Sequence, residues 1–210
     1  MGWCAPCLAS LRCTAPRCPR CALELAGSVC RACASKPPPF ARTLVLGAYA
    51  APLDRIVRTL KFNRQPALAR ALAAALAPVV ASELASGYAG PELPQVVPVP
   101  LSDSRLAERG YNQSLLIARP IARACGLELR PHALKRVQTG PPQSQLSPAA
   151  REHNVAQAFR AVGQVGRPVL LVDDVMTTGA TLAAASRALL NAGAPSVTCV
   201  VVARTPLPNV

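Results

Sequence analysis

The sequence predicts an α/β domain built on a parallel sheet, preceded by a small cysteine-rich module. Seven of the nine cysteines fall within residues 1–35, which separates that segment from the rest. The remainder alternates short Val- and Leu-rich runs with longer Ala- and Leu-rich stretches. Short apolar runs bounded by Pro or Gly are typical of buried parallel strands, and the longer stretches are typical of the covering helices. The chain of 210 residues suffices for one medium domain with a small appendage.

We place the cysteine-rich module at residues 1–35, a proline-rich linker at 36–41 and the large domain at 42–210. Three consecutive prolines in the linker favour a stiff polyproline II segment. The N-terminus lacks the charged and apolar pattern of a signal peptide. No uninterrupted apolar run approaches the roughly 18 residues that span a membrane. We therefore expect a cytoplasmic protein without membrane insertion.

The module contains C-x-x-C pairs at spacings that suit a metal. Two such pairs, separated by eight residues, complete the four ligands of a tetrahedral zinc site. Disulfides and a thioredoxin-like redox motif are weaker alternatives, because the expected compartment is reducing and no βαβ pattern surrounds the pairs. The predicted ligands of a structural Zn²⁺ are Cys18, Cys21, Cys30 and Cys33.

The remaining cysteines of the module, Cys4, Cys7 and Cys13, are one ligand short of a second zinc site. We predict no second metal from them. Either the true start of the protein lies upstream, or the pair at Cys4 and Cys7 is a relic.

In the large domain, predicted strands and helices follow one another in order. The predicted strands are 43–50, 95–100, 169–172 and 196–203, and the predicted helices are 52–60, 67–86, 114–125 and 180–191. Residues 101–113 are predicted as a loop. Residues 134–159 form a polar segment long enough for a lid or binding loop, with a helix start at Ser147. Cys125 and Cys199 are expected to be small buried hydrophobic residues.

The domain is organised around residues 169–182, VLLVDDVMTTGATL. An apolar strand carries Asp173 and Asp174 to the carboxyl edge of the sheet, where α/β proteins bind ligands. A small, hydroxyl-rich loop at a helix start presents N–H groups and the positive end of the helix dipole, which suit a phosphate. The residues of that loop are Thr177, Thr178, Gly179, Ala180 and Thr181. Carboxylates repel phosphate but accept hydrogen bonds from sugar hydroxyls, so the stretch predicts a ribose 5-phosphate site.

The charge is strongly basic, with 23 Lys and Arg against 10 acids and a net charge of +13. This balance favours polyanions, although an Arg-rich composition is also typical of a GC-rich genome. Two basic groups stand out: Arg55, Arg58, Lys61, Arg64 and Arg70 in the first, and Arg105 and Arg109 in the second. We predict that Arg58, Lys61, Arg105 and Arg109 line a positive groove for pyrophosphate or DNA. The alternatives are a solvated helix face and an ordinary surface loop.

In combination these motifs resemble the ComF family of competence-associated proteins over essentially the whole chain. The resemblance rests on the C-x-x-C pairs, the proline linker, Leu60-Lys61-Phe62, VPVP-L-S, RGYNQ at 109–113, Gln143 with Leu146-Ser147, Arg151 with Asn154 and Phe159, and VLLVDDVMTTGAT. It implies a type I phosphoribosyltransferase-like parallel sheet flanked by helices, with a small N-terminal zinc-binding module. Longer members of the family carry a further C-x-x-C pair before Cys4.

The last of these motifs is similar to the phosphoribosyl pyrophosphate (PRPP) motif of type I phosphoribosyltransferases. The resemblance therefore implies a PRPP ligand, which Mg²⁺ would accompany. Thr177 stands where 6-oxopurine transferases carry an Asp, so purine salvage is not implied. The family also implies handling of incoming single-stranded DNA beside the DNA-uptake machinery in natural transformation.

Two hypotheses from different classes follow. In the first, the protein is a DNA-handling accessory factor whose transferase fold binds single strands or PRPP. In the second, it is an active phosphoribosyltransferase (a glycosyltransferase) that uses PRPP and an unidentified acceptor. Aromatic residues make up only 3% of the chain, so the sequence predicts no stacking cluster for a base. It also assigns no catalytic residue.

Overall fold

The computed structural model describes residues 3–12, 15–25, 28–87, 92–137 and 158–206. The N-terminal elements are α1 (Ala5–Ala9), α2 (Arg31–Ser35), β1 (Arg42–Ala48), α3 (Leu53–Phe62) and α4 (Ala67–Gly87). The central elements are β2 (Gln95–Pro98), α5 (Asp103–Arg109), α6 (Gln113–Ala124), β3 (Leu134–Arg136) and β4 (Phe159–Ala161). The last three are β5 (Val169–Met176), α7 (Ala180–Asn191) and β6 (Val197–Arg204).

The core of the fold is a four-stranded parallel sheet in the order β1-β6-β5-β2. Side chains alternate between its faces, as they do along any strand. Leu170 and Val172 of β5 pack under α3, α4 and α6, whereas Val169 and Leu171 pack under α7. Helices on both faces explain why β5 and β6 are buried nearly throughout. The predicted fold class, a parallel sheet flanked by helices, is confirmed.

The predicted loop at 101–113 instead contains the helix α5. Ser102 caps its start, because the Ser102 Oγ accepts a hydrogen bond from the Arg105 N–H at 3.4 Å. Gly110 ends it with a φ of 78°, in the left-handed region that favours glycine. A Ser cap followed seven residues later by an Arg-Gly pair is a helix signal that the sequence prediction overlooked.

Of the two cysteines expected to be buried, only one is. Cys199 in β6 is fully enclosed, whereas Cys125 is half-buried just beyond the last residue of α6. A helix end exposes more of its side chains than a central strand does, which accounts for the difference.

Two short antiparallel strands, β3 and β4, flank the long polar segment between them. Leu134, Ala158 and Phe159 bury this pair against the α7 side of the sheet. The predicted helix start at Ser147, and Gln143, Arg151 and Asn154, lie outside the described residues.

The cysteine-rich module packs directly on the first strand of the sheet. The Thr43 N–H donates to the Pro19 carbonyl at 3.0 Å, and the Thr43 Oγ1 donates to the Arg20 carbonyl at 2.6 Å. Leu11 joins the core beneath α3 and α4. A Cβ at Gly47 would lie 2.6 Å from the Leu11 carbonyl oxygen, so this close approach requires glycine. The division at residues 35 and 41 stays a prediction, but the module contacts the large domain extensively.

Among the described residues, one helix is long and apolar enough to span a membrane by length and composition. It is the α4 stretch Ala67–Ser86, with a mean hydropathy of 1.5. Leu72, Leu76 and Val80 of this helix are buried in the core beneath β1 and α6. One such helix is weak evidence for a membrane span, because the core helix of a globular domain passes the same test.

Candidate ligand site and metal centre

The candidate ligand site lies where β2 ends beside β5. The last residue of β2, Pro98, pairs with Val172, so the next residues of β5 have no partner strand on that side. Strand β5 is longer than predicted and continues to Met176. Asp173 and Asp174 therefore lie within the strand, and both are buried. They occupy its carboxyl-terminal half, at the open edge that the sequence predicted.

Asp173 is held by two hydrogen bonds to a single oxygen. The Ser114 Oγ donates to the Asp173 Oδ1 at 2.8 Å, and the Asp174 N–H donates to the same atom at 2.9 Å. The pKa of Asp173 is raised to about 7, chiefly by burial and secondly by the charge of Asp174. The two hydrogen bonds and the charge of Lys61 oppose this shift without cancelling it. A carboxyl that changes protonation near neutrality is typical of functional sites.

Asp174 forms an ion pair with a lysine that the sequence assigned to a positive groove for pyrophosphate or DNA. The Lys61 Nζ lies 2.8 Å from the Asp174 Oδ1, with side-chain exposures of 19% and 5%. The other oxygen, Asp174 Oδ2, is buried and has no hydrogen-bond partner among the described residues. Lys61 thus contacts the candidate ligand site, and one carboxylate oxygen of Asp174 lacks a donor among the described residues.

The RGYN motif, residues 109–112, positions the start of α6 against the candidate site. The Tyr111 hydroxyl donates to the Leu60 carbonyl and ties the segment to the end of α3. The Asn112 Nδ2 donates to the Val99 carbonyl at 3.0 Å, while its Oδ1 accepts from the Ser114 N–H at 2.9 Å and so caps α6. These bonds place Ser114 where it can contact Asp173, which explains the motif in structural terms.

An exposed aromatic side chain ends α3. Phe62 follows Lys61 directly and is 63% exposed. The Arg109 guanidinium lies over its ring, 5.2 Å from the centroid. The sequence predicted no aromatic cluster for stacking a base, and the signal that it overlooked is this aromatic residue beside Lys61 at the end of a helix. The predicted pyrophosphate or DNA residue Arg109 therefore lies beside the end of α3.

A further arginine that sequence reasoning missed is Arg136, at the end of β3. Its guanidinium lies 5.3 Å from the centre of the Phe159 ring. Burial, and secondly the positive charge of Arg105, lowers the pKa of Arg136, whereas the charge of Asp173 raises it. Arg105 and Asp173 are therefore both electrostatic neighbours of Arg136. The predicted residue Arg58, by contrast, is exposed on α3 and forms no hydrogen bond or ion pair with any described residue.

The predicted phosphate loop runs from the end of β5 into α7. Gly179 takes the left-handed conformation with a φ of 83°, and Thr178 Oγ1 accepts from the Ala180 N–H at 3.3 Å. Thr177 and Thr178 are exposed, and Thr181 is half-buried in the first turn of α7. The loop thus lies at the N-terminal end of a twelve-residue helix, where backbone N–H groups attract anions.

A buried arginine joins this loop to the cysteine-rich module. Arg204, at the end of β6, is 5% exposed. Its Nε donates to the Cys21 carbonyl at 2.8 Å, and its Nη1 donates to the Met176 carbonyl at 3.2 Å and to the Thr177 carbonyl. The same guanidinium therefore contacts the backbone of a predicted metal ligand and the backbone of the predicted phosphate loop.

The four predicted metal ligands lie together. The sulfur atoms of Cys18, Cys21, Cys30 and Cys33 all lie within 4.8 Å of one another. The Cys21 and Cys30 sulfurs are 3.6 Å apart, close to the roughly 3.8 Å that a tetrahedral ion with 2.3 Å bonds imposes. Burial raises the pKa of the Cys18 thiol, but the Cys21 and Cys30 N–H groups outweigh it and lower the pKa to about 6. The cluster could hold a metal ion, and its donor set fits Zn²⁺.

Comparisons with known proteins agree with this architecture. The family model described as "Phosphoribosyl transferase domain" matches residues 69–207. The chain is 37% identical over 200 residues to "DNA utilization protein YhgH" of Salmonella typhimurium, covering 93% of this chain and 87% of that protein. It is 32% identical over 203 residues to "Competence protein F" of Haemophilus influenzae, with the same coverage of each chain. A shorter match, 34% identical, covers 47% of this chain and 39% of "Competence protein ComFC" of Bacillus subtilis.

Proposed function

Because the chain belongs to the ComF family of phosphoribosyltransferase-domain proteins, we propose that it binds a PRPP-type ligand and handles single-stranded DNA. Relatives that cover most of the chain bear the names of a DNA utilization protein and a competence protein, which favours a role in natural transformation. The proposal places the protein in the cytoplasm, where incoming single strands and PRPP meet.

The buried, unpartnered Asp174 Oδ2 is the observation that carries the ligand part of the proposal. A buried acceptor without a donor is costly, and ribose hydroxyls are donors that would satisfy it. Asp173 lies beside it, and the hydroxyl-rich loop at the start of α7 follows within a few residues. This order suits a ribose on the acids and its 5-phosphate on residues 177–181.

Two arginines, one of which, Arg136, is an electrostatic neighbour of Asp173, suit the second phosphate group of PRPP. Arg105 is exposed on α5 and Arg136 is half-buried on β3, and each is an electrostatic neighbour of the other. Guanidinium groups bind phosphate oxygens bidentately, so the pair would hold the pyrophosphate. Mg²⁺ would bind chiefly through the oxygens of that pyrophosphate and would supply further positive charge, since this ion prefers substrate phosphates to an all-protein cage.

Titration calorimetry with PRPP and Mg²⁺ tests the ligand part. Asp174→Asn keeps the size of the side chain but removes the charge that accepts hydroxyl hydrogen bonds. One lost bond to a charged acceptor is worth about 1.5–3 kcal/mol, so PRPP affinity should fall at least about tenfold. Asp103→Asn on the exposed start of α5 is the matched control and should bind like the wild type. Equal affinities for all three proteins would refute the site.

A second candidate function is phosphoribosyl transfer to an acceptor base, and the exposed Phe62 favours it. The ring lies next to Lys61, which contacts Asp174, so a base stacked on it would lie near the proposed ribose. Release of pyrophosphate from PRPP across a panel of bases and nucleosides distinguishes the two functions. Turnover with one acceptor that Phe62→Ala abolishes would establish the transferase, whereas binding without turnover supports the accessory role.

The DNA part of the proposal rests on the names of the relatives and on the net charge of +13. Two of the four residues predicted to line a DNA groove, Lys61 and Arg109, are engaged by Asp174 and Phe62 respectively. Single-strand binding should therefore depend on other arginines and should weaken steeply with salt as phosphate contacts release counterions. A salt titration of oligothymidylate binding by the wild-type protein measures this. No detectable binding at low salt would remove the DNA part while leaving the ligand part standing.

A further inference from the structure

A groove between α4 and α6 lies away from the ligand site. Its volume is about 740 Å³. The residues that line it are Arg70, Leu116, Arg119, Pro120, Arg123 and Ala124. Ser114, which contacts Asp173, and Leu116, which lines the groove, are two residues apart on α6. At 3.6 residues per turn, two residues correspond to about 200° around the helix axis, so the groove and the candidate ligand site lie on opposite faces of α6.

The groove combines an apolar floor with basic sides. Leu116, Pro120 and Ala124 recur every four residues of α6 and therefore share one stripe of the helix. Arg119 and Arg123 repeat at the same interval on the neighbouring stripe. Arg70 reaches the groove from α4. An anion in the groove would thus meet guanidinium groups from two helices above an apolar surface.

No acid among the described residues neutralises the charges of these arginines. Arg70, Arg119 and Arg123 are exposed, and none forms an ion pair or hydrogen bond with a described residue. Helix α6 contains no acid, and Glu83 of α4 is engaged by Arg42 at 2.5 Å. A concave surface with one sign of charge concentrates oppositely charged ligands.

We propose that this groove, which we call the α4–α6 groove, binds the phosphodiester backbone of single-stranded nucleic acid. Phosphates would pair with the arginines, and sugars or bases would lie on the apolar stripe, where guanidinium planes also stack on bases. A duplex fits less well, because its bases are already stacked on one another and would not cover the apolar stripe. The inference rests on the proposed function, the binding of single-stranded DNA, and names the residues that perform it.

Binding of a fluorescent oligothymidylate across a range of salt concentrations tests the groove. Arg119→Gln with Arg123→Gln removes two phosphate contacts, which should weaken binding about tenfold at low salt. The log–log salt slope should fall by about 1.4, or about 0.7 for each contact, and Arg70→Gln alone should lower it by about 0.7. The matched control is Arg160→Gln with Arg187→Gln, which removes the same charge from exposed positions on β4 and α7. It should keep nearly the wild-type slope.

PRPP calorimetry on the same variants separates this inference from the proposed function. The groove variants should bind PRPP like the wild type, which also shows that they are folded. Unchanged oligothymidylate affinity and slope in the groove variants, with binding by the wild type, would overturn the groove alone. An absence of wild-type binding would overturn the groove and the DNA part of the proposed function together. If polyglutamate displaced the fluorescent oligothymidylate as well as unlabelled oligothymidylate does, the groove would be assigned to an acidic peptide instead.

Discussion

Replacing Arg204 by methionine tests how the fold holds the phosphate loop. The guanidinium is 5% exposed and donates to carbonyls of the cysteine-rich module, of the end of β5 and of the following loop. Methionine keeps the aliphatic length and removes every donor. The variant therefore leaves packing nearly unchanged while it breaks the connection between Cys21 and Thr177.

The loss in the free energy of unfolding depends on which carbonyls lose their only hydrogen-bond donor. The Met176 carbonyl keeps a hydrogen bond from the Thr205 N–H at 3.0 Å. The Cys21, Thr177 and Thr205 carbonyls have no other donor among the described residues. All three sites are only partly buried, so water can replace part of the loss, and each costs about 1 kcal/mol, the low end of the usual range. The total of about 3 kcal/mol should lower Tm by about 6–12 °C in a protein of this size.

Differential scanning calorimetry measures the change, with Arg187→Met as the control because Arg187 is exposed on α7. The control should change Tm by less than about 2 °C. The Arg204→Met protein should also gain less thermal stability from saturating PRPP, since its loop must be ordered on binding. If Arg204→Met and Arg187→Met unfold at the same temperature, the connection has no energetic role and the argument from geometry is wrong.

Two further predictions concern the acid site and the metal. The Asp173→Asn variant should become more stable relative to the wild type as pH rises from about 4 to about 8, by up to about 4 kcal/mol. The reason is that the wild-type carboxyl ionises from about pH 3.8 in the unfolded chain but stays protonated until about pH 7 in the folded one. A difference in Tm between the two proteins that stays constant across this range would contradict the raised pKa. Cys30→Ser should lower the zinc content of freshly purified protein from about one ion per chain to near zero, measured by elemental analysis. Cys125→Ser, outside the cluster, should keep its zinc, and a wild-type protein purified without zinc would refute the metal centre.

Local patterns in the sequence were sufficient to predict the sheet and the acid-rich edge. A run of four apolar residues before two acids is compatible with a buried parallel strand and with little else, so β5 was placed within a few residues. The cysteine spacing similarly predicted the cluster, because two C-x-x-C turns position four sulfurs whatever the rest of the chain does.

The partners of these groups could not be predicted, because they come from distant parts of the chain. Lys61 and Asp174 are separated by more than a hundred residues, and helical spacing alone placed Lys61 in a positive groove, or on a solvated helix face, without an acidic partner. The partners of Arg204 could not be predicted either. The strand pattern shows a basic residue at the end of a buried strand, but not the carbonyls that it contacts. Such contacts depend on how α3 and the cysteine-rich module pack on the sheet, which local periodicity does not encode.

Two acids in the carboxyl-terminal half of β5 reduce stability without improving the packing. Asp173 is buried with a pKa near 7, and Asp174 leaves one oxygen without a donor among the described residues. Apolar residues at these two positions would cost less free energy to bury. The two acids nevertheless suit one kind of ligand, because a polyol donates hydrogen bonds to acids and a phosphate suits the N–H groups of the adjacent loop. Their shared location is therefore better explained by the proposed sugar phosphate than by the requirements of the fold.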